Sequence, residues 1–105
     1  LVENEVMRAN GIRTLAYFAE GKTPGPESSI EKIYWSEFDK KFRDAAFDLL
    51  GPGGQLLRTS PDARPDVDWA REYLWSRAGT IYSGSSEIQR NIISKRVLNL
   101  PQDAR

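Results

Sequence analysis

The chain has 105 residues, of which 15 are basic and 15 acidic, so no overall field attracts nucleic acid or an anionic membrane. It has neither cysteine nor histidine, which excludes disulfides, thiolate chemistry and the commonest general base and metal ligand. We therefore expect no metal site. No stretch approaches the roughly 20 apolar residues of a membrane-spanning helix, and the length suits one small domain.

The first helix is predicted from residue 2 to about residue 20. Its apolar residues follow helical spacing: Val2, Val6, Ile12, Leu15, Ala16 and Ala19. Gly21 suits a C-terminal cap, and Pro24 and Pro26 prevent the helix from continuing. The helical pattern is already running at Leu1, and the chain does not begin with methionine. We therefore expect it to be a fragment of a longer protein.

A second helix is predicted from about residue 29 to residue 50, with Ser28 or Ser29 as its cap. Its apolar stripe is the most regular pattern in the chain: Ile30, Ile33, Tyr34, Phe38, Phe42, Ala45, Ala46, Leu49 and Leu50. The charged residues lie largely on another face, which we expect to be solvated: Lys32, Glu37, Lys40, Lys41 and Arg43. Trp35 falls off the stripe and suggests a second packing partner.

The glycine-rich segment Gly51-Pro52-Gly53-Gly54 ends this helix and has two interpretations. It is a plain helix stop, or it is a turn that lets the backbone approach a phosphate closely. The following segment, to Pro65, is predicted to be irregular, and long loops in small domains are often functional or interfacial. A third helix is predicted from Asp66 to Ala78, with apolar Trp69, Ala70, Tyr73 and Leu74.

The fourth helix is predicted from about Ser85 to Leu98, after a sharp turn at Gly84 and before Pro101. Ser85 or Ser86 can cap it, and Ser86 with Gln89 has the spacing of a capping box. A helix start with hydroxyls and free N–H groups also suits an anion or a polar ring edge. Its buried face is predicted to hold Ile88, Ile92, Ile93, Val97 and Leu98.

Residues 81–93 read Ile-Tyr-Ser-Gly-Ser-Ser-Glu-Ile-Gln-Arg-Asn-Ile-Ile, and residues 96–101 read Arg-Val-Leu-Asn-Leu-Pro. This long, ordered string closely resembles the C-terminal signature of the flavin-dependent acyl-CoA dehydrogenases. Residues 28–32 also fall where that family has a Ser/Ala-Ser-x-x-Lys helix start, so the resemblance covers the whole chain. It implies an all-α fold, an antiparallel bundle of about four helices. Residues 1–105 would form a single flavin-proximal C-terminal domain, incomplete at its N-terminal side.

The resemblance implies α,β-desaturation of an acyl-CoA thioester, in which a carboxylate removes the α proton and FAD accepts the β hydrogen as hydride. In many members the base is a glutamate just before the motif's glycine, where this chain has Ser83. Serine is no substitute without its own activator, so no catalytic residue is expected in this chain. The leading hypothesis places the glutamate on an earlier helix, before Leu1. The alternative is a non-catalytic assembly subunit or interaction module of a heteromeric complex.

The same resemblance implies the positions of the binding residues. Ser85, Ser86 and Glu87 are expected against the FAD, and Gly84 beside the thioester. Tyr82 is expected near the flavin or the acyl pocket. The open alternative is that Tyr82 is an aromatic residue of the core.

A second FAD contact is implied at a turn that, in the family, reaches the FAD of a neighbouring subunit. Its residues here are Asp48, Leu49, Leu50, Gly51 and Pro52. Asp48 replaces the family's glutamine and Pro52 replaces a glycine. Aspartate only accepts hydrogen bonds, and its charge is repelled by a diphosphate. We expect the turn to remain and the contact to be weakened.

The implied partners are an acyl-CoA substrate, the electron-transferring flavoprotein, and further subunits in a homo- or hetero-oligomer, either a dimer or a tetramer. The implied location is the cytoplasm, or an organelle matrix in a eukaryote.

Overall fold

The computed structural model describes residues 2–101. Every regular element in that range is helical, so the predicted all-α class and the four α-helices are confirmed. The α-helices are α1 (Val2–Ala19), α2 (Ser28–Leu50), α3 (Trp69–Ala78) and α4 (Ser86–Ile92). A 3₁₀-helix follows α2 at Gly51–Gln55, and a π-helical segment follows α4 at Ile93–Val97. None of these described helices combines the length and apolar character needed to cross a membrane.

The end of α1 is a Schellman motif centred on Gly21, as the sequence predicted. Gly21 has φ +70°, and its N–H donates to the carbonyl of Phe18 at 3.0 Å. The N–H of Lys22 donates to the carbonyl of Tyr17 at 2.9 Å. These bonds satisfy carbonyls that a helix end leaves without partners. Glycine is needed here because other residues rarely adopt this φ.

The start of α3 differs from the prediction, because the helix begins at Trp69 instead of Asp66. Asp68 caps it, and its carboxylate accepts from the N–H of Arg71 at 3.1 Å. The carboxylate of Asp66 is engaged elsewhere, in an ion pair with Arg64 at 3.4 Å. Two nearby aspartates are both suitable caps in sequence, and the hydrogen bond made by one of them decides the boundary.

The fourth helix changes its bonding pattern before it ends. α-Helical bonding stops at Ile92, and in the π segment the N–H of Leu98 donates to the carbonyl of Ile93 at 3.0 Å. Asn99 then adopts the left-handed region, with φ +51°. Asparagine tolerates this conformation at helix ends, so the chain turns at Asn99, ahead of the predicted stop at Pro101.

The described chain divides into two compact units. One contains residues 2–35 and 84–101 and the other residues 36–83, so α2 contributes to each. In the first unit, the hydroxyl of Thr14 on α1 donates to the carboxylate of Glu31 on α2 at 2.5 Å. In the second, the ring of Phe47 on α2 stacks on Tyr73 of α3, with centroids 4.3 Å apart. The single domain expected over the whole chain stays a prediction.

The most buried positions of α2 do not lie on its apolar stripe. They are Ser29, 6% exposed, and Ser36, 0% exposed, which share a face because seven residues make nearly two helical turns. Phe42 and Leu49 are on the predicted stripe but are 51% and 89% exposed. The regular spacing of the stripe therefore does not mark a buried face at these positions, and Ile30 and Ala45 of the stripe are exposed as well. Residues 2–101 supply no surface that covers them.

The apolar faces of α1 and α4 are open in the same way. α1 contains no buried residue over its described length, and Leu15 is 68% exposed. On the predicted buried face of the fourth helix, Ile88 and Leu98 are 52% and 59% exposed, so that prediction is wrong at these positions. Helical spacing selects a face, but burial also requires a neighbouring surface. Large exposed apolar faces of this kind mark protein, membrane or ligand contact sites.

Candidate functional site

The loop before α4 turns through two consecutive residues in the left-handed region. Ser83 has φ +56° and Gly84 has φ +91°. Glycine adopts such angles freely, whereas a serine there is strained by about 1–3 kcal/mol. A Cβ at position 84 would also lie 2.6 Å from Nε2 of Gln89, so the Gln89 amide would have to shift to accommodate it. The turn therefore requires glycine at position 84, as the sequence predicted.

Ser85 is the residue that caps α4. It has extended backbone angles, and its Oγ accepts from the N–H of Ile88 at 3.4 Å. Its carbonyl accepts the first helical bond, from the N–H of Gln89 at 2.9 Å. Ser86 lies inside the helix as its first residue, so the predicted capping box between Ser86 and Gln89 is wrong. The Ser86 side chain is buried, and its hydroxyl has no hydrogen-bond partner among the described residues.

Glu87 is exposed in the first turn of α4, and its pKa is lowered from the ordinary glutamate value. The main cause is a hydrogen bond from its own backbone N–H, followed by one from the Ser85 hydroxyl. The charges of Arg90 and Lys32 lower the pKa further, and Nη1 of Arg90 lies 4.0 Å from Oε1 of Glu87. A carboxylate with a lowered pKa binds a proton weakly, so Glu87 is poorly suited to act as a general base.

Lys32 makes a contact at this site that the sequence did not predict. It was expected on the solvated face of α2, but it is half-buried and its Nζ donates to the carbonyl of Gly84 at 2.8 Å. The expectation is therefore wrong for Lys32. The one sequence feature that sets Lys32 apart from the other charged residues of α2 is its place in the Ser-Ser-x-x-Lys helix start. Its partner lies 52 residues later in the chain, so only the tertiary structure reveals the pairing.

Comparison with known proteins identifies the family. A family model described as acyl-CoA dehydrogenase, C-terminal domain, matches residues 1–98. The chain belongs to the acyl-CoA dehydrogenase family. It is 38% identical to acyl-CoA dehydrogenase IpdE1 of Mycobacterium tuberculosis over 112 aligned positions, which cover 100% of this chain and 28% of that protein. It is 36% identical to acyl-CoA dehydrogenase IpdE1 of Mycolicibacterium smegmatis over 101 positions, covering 96% and 24%.

A solved structure has a similar fold. The crystal structure of the ChsE4-ChsE5 complex from Mycobacterium tuberculosis matches with a TM-score of 0.79 and 25% identity, over 98% of this chain and 26% of that chain. The chain spans about a quarter of the length of each protein it matches. The expected fold, that of the C-terminal domain of an acyl-CoA dehydrogenase, is confirmed.

The turn that was expected to reach a neighbouring acyl-CoA dehydrogenase subunit is present. Gly51 closes α2 with φ +55°, and Pro52 lies in the first turn of the 3₁₀-helix. Asp48 and Leu49 are exposed at the end of α2, whereas Leu50 is half-buried. The glycine is required at position 51 by its φ. The turn itself is thus confirmed, and its contact with FAD stays a prediction.

The structure brings part of the predicted acyl-CoA dehydrogenase site together. Residues 84–87 share one compact unit with Lys32 and Gln89, whereas Tyr82, Ser83 and residues 48–52 belong to the other. Tyr82 is 43% exposed, so the residues described here do not bury it as a core aromatic. The described residues contain no group of three or more acidic side chains placed to hold a metal ion.

Proposed function

We propose that this chain is the C-terminal helical domain of an FAD-dependent enzyme that desaturates an acyl-CoA thioester between its α and β carbons. The proposal rests on the turn and helix start formed by residues 84–87. Glycine at position 84 is required by its φ, the side-chain amide of Gln89 packs closely against it, and Ser85 caps the helix. This geometry lies within the part of the chain that matches the acyl-CoA dehydrogenase family.

Ser86 supports the cofactor assignment. Its hydroxyl is buried and has no hydrogen-bond partner among the described residues, and leaving such a group unpaired costs about 1–3 kcal/mol. A polar ring edge at the helix start would give this hydroxyl a partner. The residues that would hold the FAD are Ser85, Ser86 and Glu87, with the turn at 48–52 serving a neighbouring subunit. FAD supplies the hydride acceptor when bound, and the role of this chain is to bind and orient it.

The base is proposed to lie on an earlier helix of the full-length protein. Ser83 occupies the usual glutamate position and is exposed. The chain has no histidine that could activate it, and Glu87 has a lowered pKa. In this arrangement Ser83 leaves room for a carboxylate that reaches the α carbon from elsewhere. Gly84 and Tyr82 are proposed to border the thioester and the acyl group.

Turnover of Ser83 variants of the full-length protein tests this proposal. Ser83→Ala should change turnover little, because the hydroxyl transfers no proton. Ser83→Gly is the matched variant, since it also removes the hydroxyl but suits the positive φ. A general base contributes ~10²–10⁴ in rate. If turnover falls a hundredfold or more in both variants while FAD and substrate still bind, Ser83 takes part in the chemistry and the displaced-base proposal fails.

A second candidate is a non-catalytic assembly subunit. It is favoured by Ser83 and by the similar solved structure, which is a complex of two proteins. Ser83→Glu separates the two candidates, because it would restore a carboxylate at the usual position. In a subunit that has lost its base, this change should create measurable desaturation. Where a base already lies upstream, neighbouring carboxylates raise one another's pKa, so activity should not improve and the pH profile should move upward.

The wider assignments follow from the proposed activity. The reduced flavin would be reoxidised by the electron-transferring flavoprotein, and the open apolar helices would be covered within a homo- or hetero-oligomer. A cytoplasmic location, or an organelle matrix in a eukaryote, is proposed on the same basis. Bleaching of flavin absorbance by an acyl-CoA in the full-length protein would support the enzyme. A purified full-length protein that binds no FAD would contradict it.

A further inference from the structure

Gly84 is held from two sides within its compact unit. The Nζ of Lys32 donates to its carbonyl at 2.8 Å. The side-chain amide of Gln89, which is 8% exposed, packs so closely that a Cβ on Gly84 would lie 2.6 Å from Nε2. The contacts come from α2 and from α4. The peptide at the sharpest point of the turn is therefore held by Lys32, which is distant in sequence, as well as by the nearby Gln89.

The hydrogen bond from Lys32 satisfies the carbonyl of Gly84, which receives no hydrogen bond from a backbone N–H of α4. Gly84 precedes the capping residue, and the N–H of Ile88, four residues on, donates to Oγ of Ser85 instead. The carbonyl of Gly84 thus lacks the N–H donor that a helical residue would have at that spacing. The ammonium of Lys32 fills this place with a charge-assisted hydrogen bond, which is shorter and stronger than a neutral one.

The position of Lys32 is unusual for a lysine. A cation near a helix N-terminus is unfavourable, because the helix dipole places positive charge there. Lysine side chains are also mostly exposed, whereas Lys32 is half-buried. Two groups offset these costs: the carbonyl of Gly84, which accepts its hydrogen bond, and the carboxylate of Glu87, whose ionisation its charge favours.

We propose that Lys32 is a positioning residue that holds the Gly84 peptide and thereby fixes the first turn of α4, residues 85–87. This inference rests on the proposed function, because those residues are the ones proposed to face the FAD. Lys32 would touch neither flavin nor substrate. Its effect on FAD binding would pass through the backbone of Gly84.

The test uses the full-length protein with Lys32→Met, Lys32→Arg and the control Lys40→Met. Methionine keeps most of the side-chain length but donates no hydrogen bond, and arginine restores a cationic donor. Lys40 also lies on α2 and is half-buried, but its ion pair, 2.8 Å to Glu37, stays within that helix. Amide hydrogen exchange of the FAD-free protein reports on Ile88 and Gln89, whose N–H groups donate to Ser85. Titration followed by flavin absorbance reports on FAD binding.

Lys32→Met is expected to speed exchange at Ile88 and Gln89 and to weaken FAD binding. Each change should be about tenfold to a hundredfold, the usual range for a hydrogen bond to a charged group. Lys32→Arg should return both close to the wild-type values. Lys40→Met should match the wild type throughout. The flavin absorbance maximum should shift in Lys32→Met alone, since a change of local environment alters the bound flavin.

Three results would overturn the inference. Lys32→Met could behave like Lys40→Met, or it could speed exchange equally in α3, which would indicate general destabilisation. It could also speed exchange at Ile88 and Gln89 without changing FAD affinity. Failure of the wild-type protein to bind FAD would count against the proposed function alone. The exchange comparison, made without FAD, would still decide whether Lys32 holds Gly84.

Discussion

The guanidinium of Arg77 stacks on the ring of Tyr73 one helical turn earlier, with its central carbon 3.8 Å from the ring centroid. The same side chain donates to the carbonyl of Tyr73 at 3.0 Å and to Oγ of Ser76 at 2.9 Å. It also pairs with the carboxylate of Asp44 on α2. Within the second unit, Arg77 therefore links α3 to α2 through one planar group.

Arg77→Lys should destabilise the contact between α2 and α3 by about 1–3 kcal/mol, because lysine keeps the charge but loses the planar fork and the stacking. Native-state hydrogen exchange of the α3 amides in the full-length protein measures this as faster local opening. Arg58→Lys, in the exposed loop, is the matched control and should leave α3 unchanged. Equal protection of α3 in the two variants would show that Arg77 does not hold this contact.

Two glycines of the first unit have the same open space beside them but different backbone angles. Substituting each one therefore tests the effect of the backbone angle alone. A Cβ on Gly11 or on Gly21 would meet no atom within 4 Å, but only Gly21 has a positive φ, +70°. Gly11→Ala should stabilise α1 by about 0.5–1 kcal/mol, since alanine loses less entropy in a helix. Gly21→Ala should destabilise by about 1–2 kcal/mol, because its Schellman motif needs the left-handed conformation.

Exchange protection of the α1 amides provides the measurement for this pair. Opposite signs are expected for the two substitutions. If Gly11→Ala also destabilises, then a surface outside residues 2–101 occupies the space beside Gly11 in the full-length protein. If Gly21→Ala is neutral, the described end of α1 is not the one adopted in solution.

The pKa of Glu87 should prove lower than the ordinary glutamate value in an NMR titration of its carboxyl carbon. Ser85→Ala should raise this pKa by more than Arg90→Gln does, because the Ser85 hydrogen bond is a larger cause than the charge of Arg90. The pKa is depressed on folding, so Glu87 contributes stability at pH values above the ordinary glutamate pKa and loses it as the pH falls through the lower folded-state pKa. A pKa at or above the ordinary value would contradict the described start of α4.

Asp48→Gln is expected to strengthen FAD binding by the full-length oligomer about threefold to tenfold. The change removes an exposed negative charge and supplies an amide donor, which is worth one ordinary hydrogen bond. Asp62→Asn removes the same charge from the exposed loop and should have no effect. Unchanged affinity in Asp48→Gln, or an equal gain in Asp62→Asn, would show that the turn at 48–52 does not lie beside the cofactor.

Features set by a few neighbouring residues could be predicted well. Gly21 and Gly51 end helices with positive φ, and Ser85 caps α4. These outcomes depend on backbone angles and on hydrogen bonds between residues a few positions apart, which the sequence order specifies directly. The boundary at Asp68 was missed because two aspartates were equally suitable by the same local rules. The family signature could likewise be read from order alone, because it is a contiguous string.

What the sequence by itself determined is the helical class, the turn chemistry and the family. The tertiary structure decided which faces are covered and which distant groups meet. Ser36 is fully buried while Leu49 is 89% exposed, although apolar spacing favoured Leu49. Lys32 meets Gly84 across 52 residues, although its position among charged residues indicated solvent. The physical reason is that periodicity records only the direction of a side chain, whereas burial and pairing depend on which surface stands opposite it.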